Sequence, residues 1–155
     1  MINIFVIGPL KSGFIIEGVS QYKKWLSKFE KVNFIQIPLQ GDLNKISPEE
    51  YKKNDYLRIK KYIDTFSYNI ILDERGKELS SVGLSEKIDE IRIGPKKNIN
   101  FFIGGPLGHY KEFYNNCDFM LSFSKMTFTH EMIVLFLYEQ LYRSFKILNN
   151  EKYHY

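Results

Sequence analysis

Short apolar runs alternate with amphipathic, helix-like stretches along this chain, and that alternation predicts an α/β fold. The expected architecture is a mostly parallel sheet with helices on both faces, built from βαβ units. Two further observations support it. The apolar runs stop at glycine and proline punctuation, at Gly8-Pro9, Pro38 and Gly104-Gly105-Pro106. No internal repeat or low-complexity linker divides the 155 residues, so residues 1–155 read as one domain with room for a real core.

The elements follow in order. Met1 to Ile7 reads as the first strand. Ile15, Val19, Tyr22, Leu26 and Phe29 then recur at spacings of three and four, one apolar stripe of a helix whose other face carries Lys23, Lys24, Lys28 and Lys31. Val32 to Ile37 is a second strand, and Gln40 to Lys45 a polar loop. Ser47-Pro48-Glu49-Glu50 starts a helix: Ser47 caps, Pro48 suits the first turn and Glu50 completes a capping box. That gives the glutamate pair a structural rather than a catalytic role. The helix it opens is basic, with Lys52, Lys53, Arg58, Lys60 and Lys61. Tyr68 to Asp73 is a third strand, followed by the loop DERGKELSS and a helix from Ser81 to Ile93. Ile99 to Ile103 is the fourth strand, 109–117 a short helix, and Phe119 to Phe123 the fifth strand. SKMTFTH forms a loop, and Glu131 to Leu148 a long final helix.

Composition narrows the function. Hydrophobic residues make up 44% and charged residues 26%, as in an ordinary globular protein. No run approaches the roughly 18 apolar residues of a membrane span, and no basic region precedes the first apolar run, so a cytoplasmic protein is expected. Cys117 is the only cysteine, which excludes an intramolecular disulfide and any zinc site built on several thiolates; no metal is expected. The net charge of +4 leans towards an anionic partner, of which nucleic acid is the commonest.

In open parallel sheets ligands bind beyond the carboxyl ends of the strands. Three loops lie at such ends: after Asp73, after Ile103 and after Phe123. The second, within FFIGGPLG (101–108), has a glycine-rich backbone that invites a phosphate-binding reading. The residues argue against it. Gly8 and Gly13 have the spacing of a P-loop, but Phe14 and Ile15 stand where Lys and Ser/Thr must be. G-G-P-L-G follows the fourth strand rather than the first, and Pro106 removes an N–H that would cradle a pyrophosphate. What remains is a tight turn, or a turn whose backbone closely approaches a ligand.

Four segments, in this order and spacing, resemble a known family: LDERGKELSS (72–81), FFIGGPLG (101–108), LSFSKMTFTHEM (121–132) and LYEQLYRSFKI with the tail YH (137–147 and 153–154). The chain resembles, over essentially its whole length, the SPOUT-class methyltransferases that modify N3 of a pseudouridine in large-subunit (23S) ribosomal RNA. The resemblance implies an α/β fold whose C-terminal part is threaded into a trefoil knot, an obligate homodimer, and S-adenosylmethionine as cofactor. Its cofactor contacts would fall at Leu72, at Gly104 and along Phe123, Ser124, Lys125, Met126, Thr127 and Phe128, the same three strand ends. Such a cofactor carries no phosphate. It needs an apolar slot for adenine, which Leu72, Ile103, Leu121, Met126 and Phe128 could supply. One departure is Thr129, where the family has Pro; its hydroxyl can cap the last helix.

Met132 to Tyr138 is apolar in seven consecutive positions, so the last helix must be covered on more than one side. A dimer surface would do this, and so would a fully buried position in one subunit. His130 opens this helix in either a structural or a substrate-contacting role. Arg143 lies one turn beyond Glu139. The resemblance gives it the task of gripping an RNA phosphate or orienting the base. It sends the tail across to the partner's cofactor site, where Tyr153 would stack on the target base and His154 would position it or accept its proton. Ribosomal RNA would dock on the lysines of 23–31, the 52–61 cluster, Arg143, Lys146 and Lys152. Two rivals remain: a non-catalytic ribosome-associated protein with a vestigial pocket, and a nucleotide-binding enzyme of flavodoxin-like or Rossmann type.

Overall fold

The computed structural model describes residues 1–153. Five strands form one sheet in the order β2-β1-β4-β3-β5, and every neighbouring pair is parallel. They are β1 (Ile2–Ile7), β2 (Val32–Ile37), β3 (Ser67–Glu78), β4 (Asn98–Ile103) and β5 (Phe119–Ser122). The helices are α1 (Gly13–Leu26), α2 (Pro48–Ile59), α3 (Ser81–Ile93) and α4 (His130–Leu148), with 3-10 turns at Lys60–Tyr62 and Lys111–Asn116.

Side chains alternate across each strand, and the two faces bury different sets. Ile2, Ile4 and Val6 of β1, Ile70 of β3 and Phe101 of β4 join Ile15 and Val19 of α1, Ile88 of α3 and Leu137 of α4 in the larger core. Phe5 and Ile7 of β1, Ile71 and Phe102 meet Tyr56 and Ile59 of α2 and Phe113 of the second 3-10 turn on the other face. Helices cover both faces, as the alternation predicted. Among the described residues no helix is long and apolar enough to cross a membrane.

Register is locked by a polar ladder inside the apolar sheet. Asn33, Asn3, Asn100 and Asn69 stand side by side on β2, β1, β4 and β3. Asn33 Nδ2 donates to Asn3 Oδ1 (2.8 Å), Asn3 Nδ2 to Asn100 Oδ1 (2.8 Å) and Asn100 Nδ2 to Asn69 Oδ1 (3.1 Å). A slip of one residue would leave the buried amides of Asn69 and Asn100 without these partners.

Local chemistry explains the helix starts. Ser47 Oγ accepts from Glu50 N (3.2 Å) with Pro48 in the first turn, and Thr129 Oγ1 accepts from Met132 N (3.3 Å) to cap α4. The return bond expected from the Glu50 carboxylate is not formed among the described residues, so Ser47 caps alone. Helix α4 lies between α1 and α3 over the sheet, with Val134, Leu137, Tyr138 and Leu141 fully buried. Intramolecular packing thus covers most of its apolar run and leaves Met132, Ile133, Leu135 and Phe136 half-buried.

One expectation is corrected and one made specific. Residues 74–78, expected in a loop, continue β3. The strand pairs with β5 at Leu72↔Leu121 and again at Lys77↔Leu121, so the segment between loops out and returns. Gly76 permits this, because a Cβ there would lie 2.7 Å from the Met120 carbonyl oxygen. The short helix expected within 109–117 is a 3-10 helix over Lys111–Asn116.

Candidate functional site

Leu72 of β3 is the register partner of both Ile103 of β4 and Leu121 of β5. At this one level β4 and β5 run out and β3 loops out, and the segments that follow surround a cleft of about 1000 Å³. Leu72, Ile103 and Leu121, all buried, form its floor. The turn Gly104–Gly108 makes one wall, and Phe123, Ser124, Met126, Thr127 and Phe128 make another. Glu49, Lys52 and Lys111 stand at the rim, and His130 and Ile133 enter from the start of α4.

The glycines of the 104–108 turn have separate reasons. Gly108 has φ +77°, and the turn closes through a Gly108 N–H to Gly105 O bond of 3.0 Å. A Cβ on Gly104 would lie 3.2 Å from the Gly108 carbonyl carbon and 3.2 Å from the His109 ring. His109 itself is buried. Because the Leu72 carbonyl can only accept, Nε2 carries the hydrogen and donates to it at 3.0 Å. Burial pushes its pKa down to about 4, so the ring is a neutral brace between two walls of the cleft.

The looped-out residues of β3 bear a charged network. Arg75 Nε donates to Asp73 Oδ1 and its NH2 nitrogen to Oδ2, both at 2.9 Å, while the Tyr114 hydroxyl donates to Oδ2 at 2.8 Å. Burial alone would raise the Asp73 carboxyl. The bonds from Arg75 and Tyr114 outweigh it and hold the group at about 2. Thr127 Oγ1 donates to Glu74 Oε2 at 2.6 Å, tying the third loop to the first. On the opposite rim, Glu131 Oε2 accepts from the amides of Lys11 and Ser12 (both 2.9 Å), and His130 Nε2 donates to Pro9 O at 3.0 Å. His130 therefore holds the β1–α1 loop while also facing the cleft.

Leu72, Gly104, Phe123, Ser124, Met126, Thr127 and Phe128 thus line a single cleft. Lys125 is exposed and does not line it, and Met126, at 72% exposure, stands at the rim rather than in an enclosed slot. Arg143 and Tyr153 lie elsewhere, together near the end of α4. Arg143 Nε and its NH2 nitrogen donate to Glu139 Oε1 at 2.9 and 2.7 Å, and its guanidinium sits 4.8 Å from the centre of the Tyr153 ring. Tyr153 also packs edge-on against Tyr142. His154 lies outside the described residues. His109, Asp73, Arg75, Glu74 and Tyr114 were not singled out from sequence. The signal for three of them was present in DERG, a charged cluster directly after a strand.

No group of three His, Cys, Asp or Glu side chains that could hold a metal ion occurs among the described residues. The floor of the cleft is aliphatic, and Gly104 presents bare backbone to it.

Known proteins resemble this chain over nearly its whole length. A family model described as "Predicted SPOUT methyltransferase" matches residues 1–154. The chain is 38% identical over 156 residues to the ribosomal RNA large subunit methyltransferase H of Acetivibrio thermocellus, covering 99% of this chain and 98% of that protein. It is 39% identical over 160 residues to the protein of the same name from Halothermothrix orenii, with the same coverage. Among solved structures, a probable methylase family protein from Haemophilus influenzae matches the fold with a TM-score of 0.53 at 16% identity. That match spans 96% of this chain and 66% of that one. By family model and by full-length identity, the chain belongs to the SPOUT methyltransferase family.

Proposed function

We propose that this chain transfers a methyl group from S-adenosylmethionine to N3 of a pseudouridine in large-subunit ribosomal RNA, acting in the cytoplasm as a homodimer. The observation that carries the reading is the convergence of the segments after Leu72, Ile103 and Leu121 on one cleft with an aliphatic floor. Leu72, Ile103 and Leu121 would take the adenine face, and Gly104 would let main chain approach the ligand. The loop 123–128, braced by Glu74 through Thr127, would close over it. When bound, the cofactor supplies a sulfonium methyl already activated for displacement, so the protein mainly orients and deprotonates.

Arg143 and Tyr153 sit apart from their own subunit's cleft. That separation supports a site completed by a second subunit, whose tail would bring Tyr153 to stack on the base and His154 to accept the N3 proton. Histidine suits that task because it titrates near neutrality. The half-buried Met132, Leu135 and Phe136 on α4, with Phe14 exposed on α1, give such a dimer apolar surface. The near-contact of Gly76 with the β5 backbone fits a chain threaded through a tight trefoil crossing there. The curated relatives named above are ribosomal RNA methyltransferases, and Lys52, Arg75 and Lys111 around the cleft would meet RNA phosphates.

Incubation with labelled S-adenosylmethionine and ribosomes lacking the modification, followed by mapping of the methylated nucleotide, tests the proposal. Label at N3 of a single large-subunit pseudouridine is expected. Calorimetry without any cofactor binding would leave a ribosome-binding protein that does not catalyse. Bound flavin or nucleotide phosphate would revive the Rossmann-type alternative.

A further inference from the structure

The charged side chains that line the cleft do not all cancel locally. Arg75 Nε pairs with Asp73 Oδ1 at 2.9 Å, and Lys111 Nζ with Glu49 Oε1 at 4.0 Å. Glu74 and Lys52 also line the cleft, and among the described residues neither has an ion-pair partner. The two belong to different elements. Lys52 is on α2, the helix whose Asp55 approaches Gly105 behind the 104–108 turn. Glu74 is on the looped-out part of β3 and is bonded to the 123–128 segment.

Glu74 differs from an ordinary surface charge in being tethered. Thr127 Oγ1 donates to its Oε2 at 2.6 Å, and both residues line the cleft, so the bond joins two walls and fixes the carboxylate beside the space between them. A hydroxyl donor neutralises no charge. Arg75, next in sequence, is taken up by Asp73 and Tyr114. The negative charge of Glu74 therefore stays uncompensated on its own wall.

S-adenosylmethionine carries the complementary charge. Its amino-acid arm has an ammonium and a carboxylate and is neutral as a unit, and its adenosine is neutral. The sulfonium is the uncompensated positive charge. In methyl transfer the new bond forms from the N3 electron pair, the N3 proton goes to the base, and the pair of the broken S–CH3 bond stays on sulfur. The spent cofactor, S-adenosylhomocysteine, is thus a neutral thioether. A fixed negative charge in the cleft attracts the ligand before transfer and loses its partner afterwards.

We propose that Glu74, held by Thr127, is the residue by which the cleft distinguishes S-adenosylmethionine from S-adenosylhomocysteine, favouring the charged ligand and easing release of the neutral one. The inference rests on the S-adenosylmethionine reading of the cleft. Glu74 and Thr127 are both exposed, so solvent screening keeps the effect modest.

The test reads the ratio of the two affinities. Calorimetry with S-adenosylmethionine and with S-adenosylhomocysteine is run on full-length wild type, Glu74→Gln and Glu74→Asp, with melting temperature as a check on folding. In Glu74→Gln the amide oxygen still accepts from Thr127, so the tether survives and only the charge is lost. That variant should bind S-adenosylmethionine about three- to fivefold more weakly and S-adenosylhomocysteine within about 1.5-fold of wild type. Raising salt from about 20 to about 300 mM should shift the wild-type ratio in the same direction and leave the Glu74→Gln ratio flat. Glu74→Asp keeps the charge and should keep the ratio within about twofold of wild type. A ratio unmoved by Glu74→Gln overturns the assignment. So does an equal weakening of both ligands, which would give the carboxylate to the ammonium they share. A Glu74→Asp ratio that matches Glu74→Gln also overturns it, because the Thr127 bond rather than the charge would then be responsible. If wild type binds neither ligand, the cofactor reading falls and this inference with it. If wild type binds both and Glu74→Gln leaves their ratio unchanged, only the role of Glu74 falls.

Discussion

Gly104 and His109 show how closely single side chains shape the cleft. The atoms that a Gly104 Cβ would meet are a backbone carbonyl carbon and a buried ring, neither of which can swing away. Gly104→Ala should therefore cost about 1–3 kcal/mol of stability and weaken S-adenosylmethionine binding, measurable by denaturation and calorimetry on the same sample. His109 makes a pH prediction. Its ordinary value of 6.5 falls to about 4 in the fold. Between those limits the unfolded chain binds a proton that the folded chain refuses. Stability is thus full above 6.5 and declines as pH falls towards 4, by on the order of 3 kcal/mol. Asp73 adds a second loss of the same sign, from 3.8 down to about 2. Melting curves of His109→Leu should be nearly flat between pH 6.5 and 4.5, where those of the wild type fall.

The sheet depends on elements that no single stripe of apolar residues would secure. The asparagine ladder crosses four strands and is buried at Asn69 and Asn100. Removing Asn100 leaves a carbonyl on buried Asn69 and an amide on half-buried Asn3 without their ladder partners. Asn100→Leu should destabilise by about 2–4 kcal/mol despite its greater hydrophobicity. A urea midpoint that falls at constant slope would bear this out; an unchanged midpoint would make the ladder incidental. Strand β3 was legible in its apolar half and illegible in its charged half. Residues Tyr68–Leu72 announce a strand by composition, whereas DERGKE looks like a loop. Only the return of the chain to pair Lys77 with Leu121 makes it strand again, and long-range pairing of this kind leaves no local mark.

Over the whole molecule, the separation of Arg143 and Tyr153 from the cleft makes a test of two-subunit action possible. A variant with Gly104→Leu lacks a sound cofactor wall, and a variant lacking residues 152–155 lacks the tail. Each should be inactive alone. After mixing and exchange of subunits, the hybrid dimer holds one intact composite site, and about a quarter of wild-type activity should return. No recovery would mean that each subunit works with its own tail. The basic rim around Lys52, Arg75 and Lys111 makes a further expectation: affinity for ribosomal RNA falls steeply with salt, and Lys52→Ala with Lys111→Ala flattens that slope by about two.

The sequence by itself determined the alternation of strands and helices, the capped starts of α2 and α4, and the four segments whose spacing resembles the SPOUT methyltransferases. These are local signals: periodicity, turn residues and short motifs, each carried within about twenty neighbouring positions. Only the tertiary structure decided that Leu72 pairs with both Ile103 and Leu121, which brings three distant loops around one cleft. It also paired His109 with Leu72, gathered Asp73, Arg75 and Tyr114, and tied Glu74 to Thr127. Apart from the Asp73–Arg75 pair, those partners are separated by tens of residues. Their meeting follows from strand order and register, which the packing of the whole sheet settles.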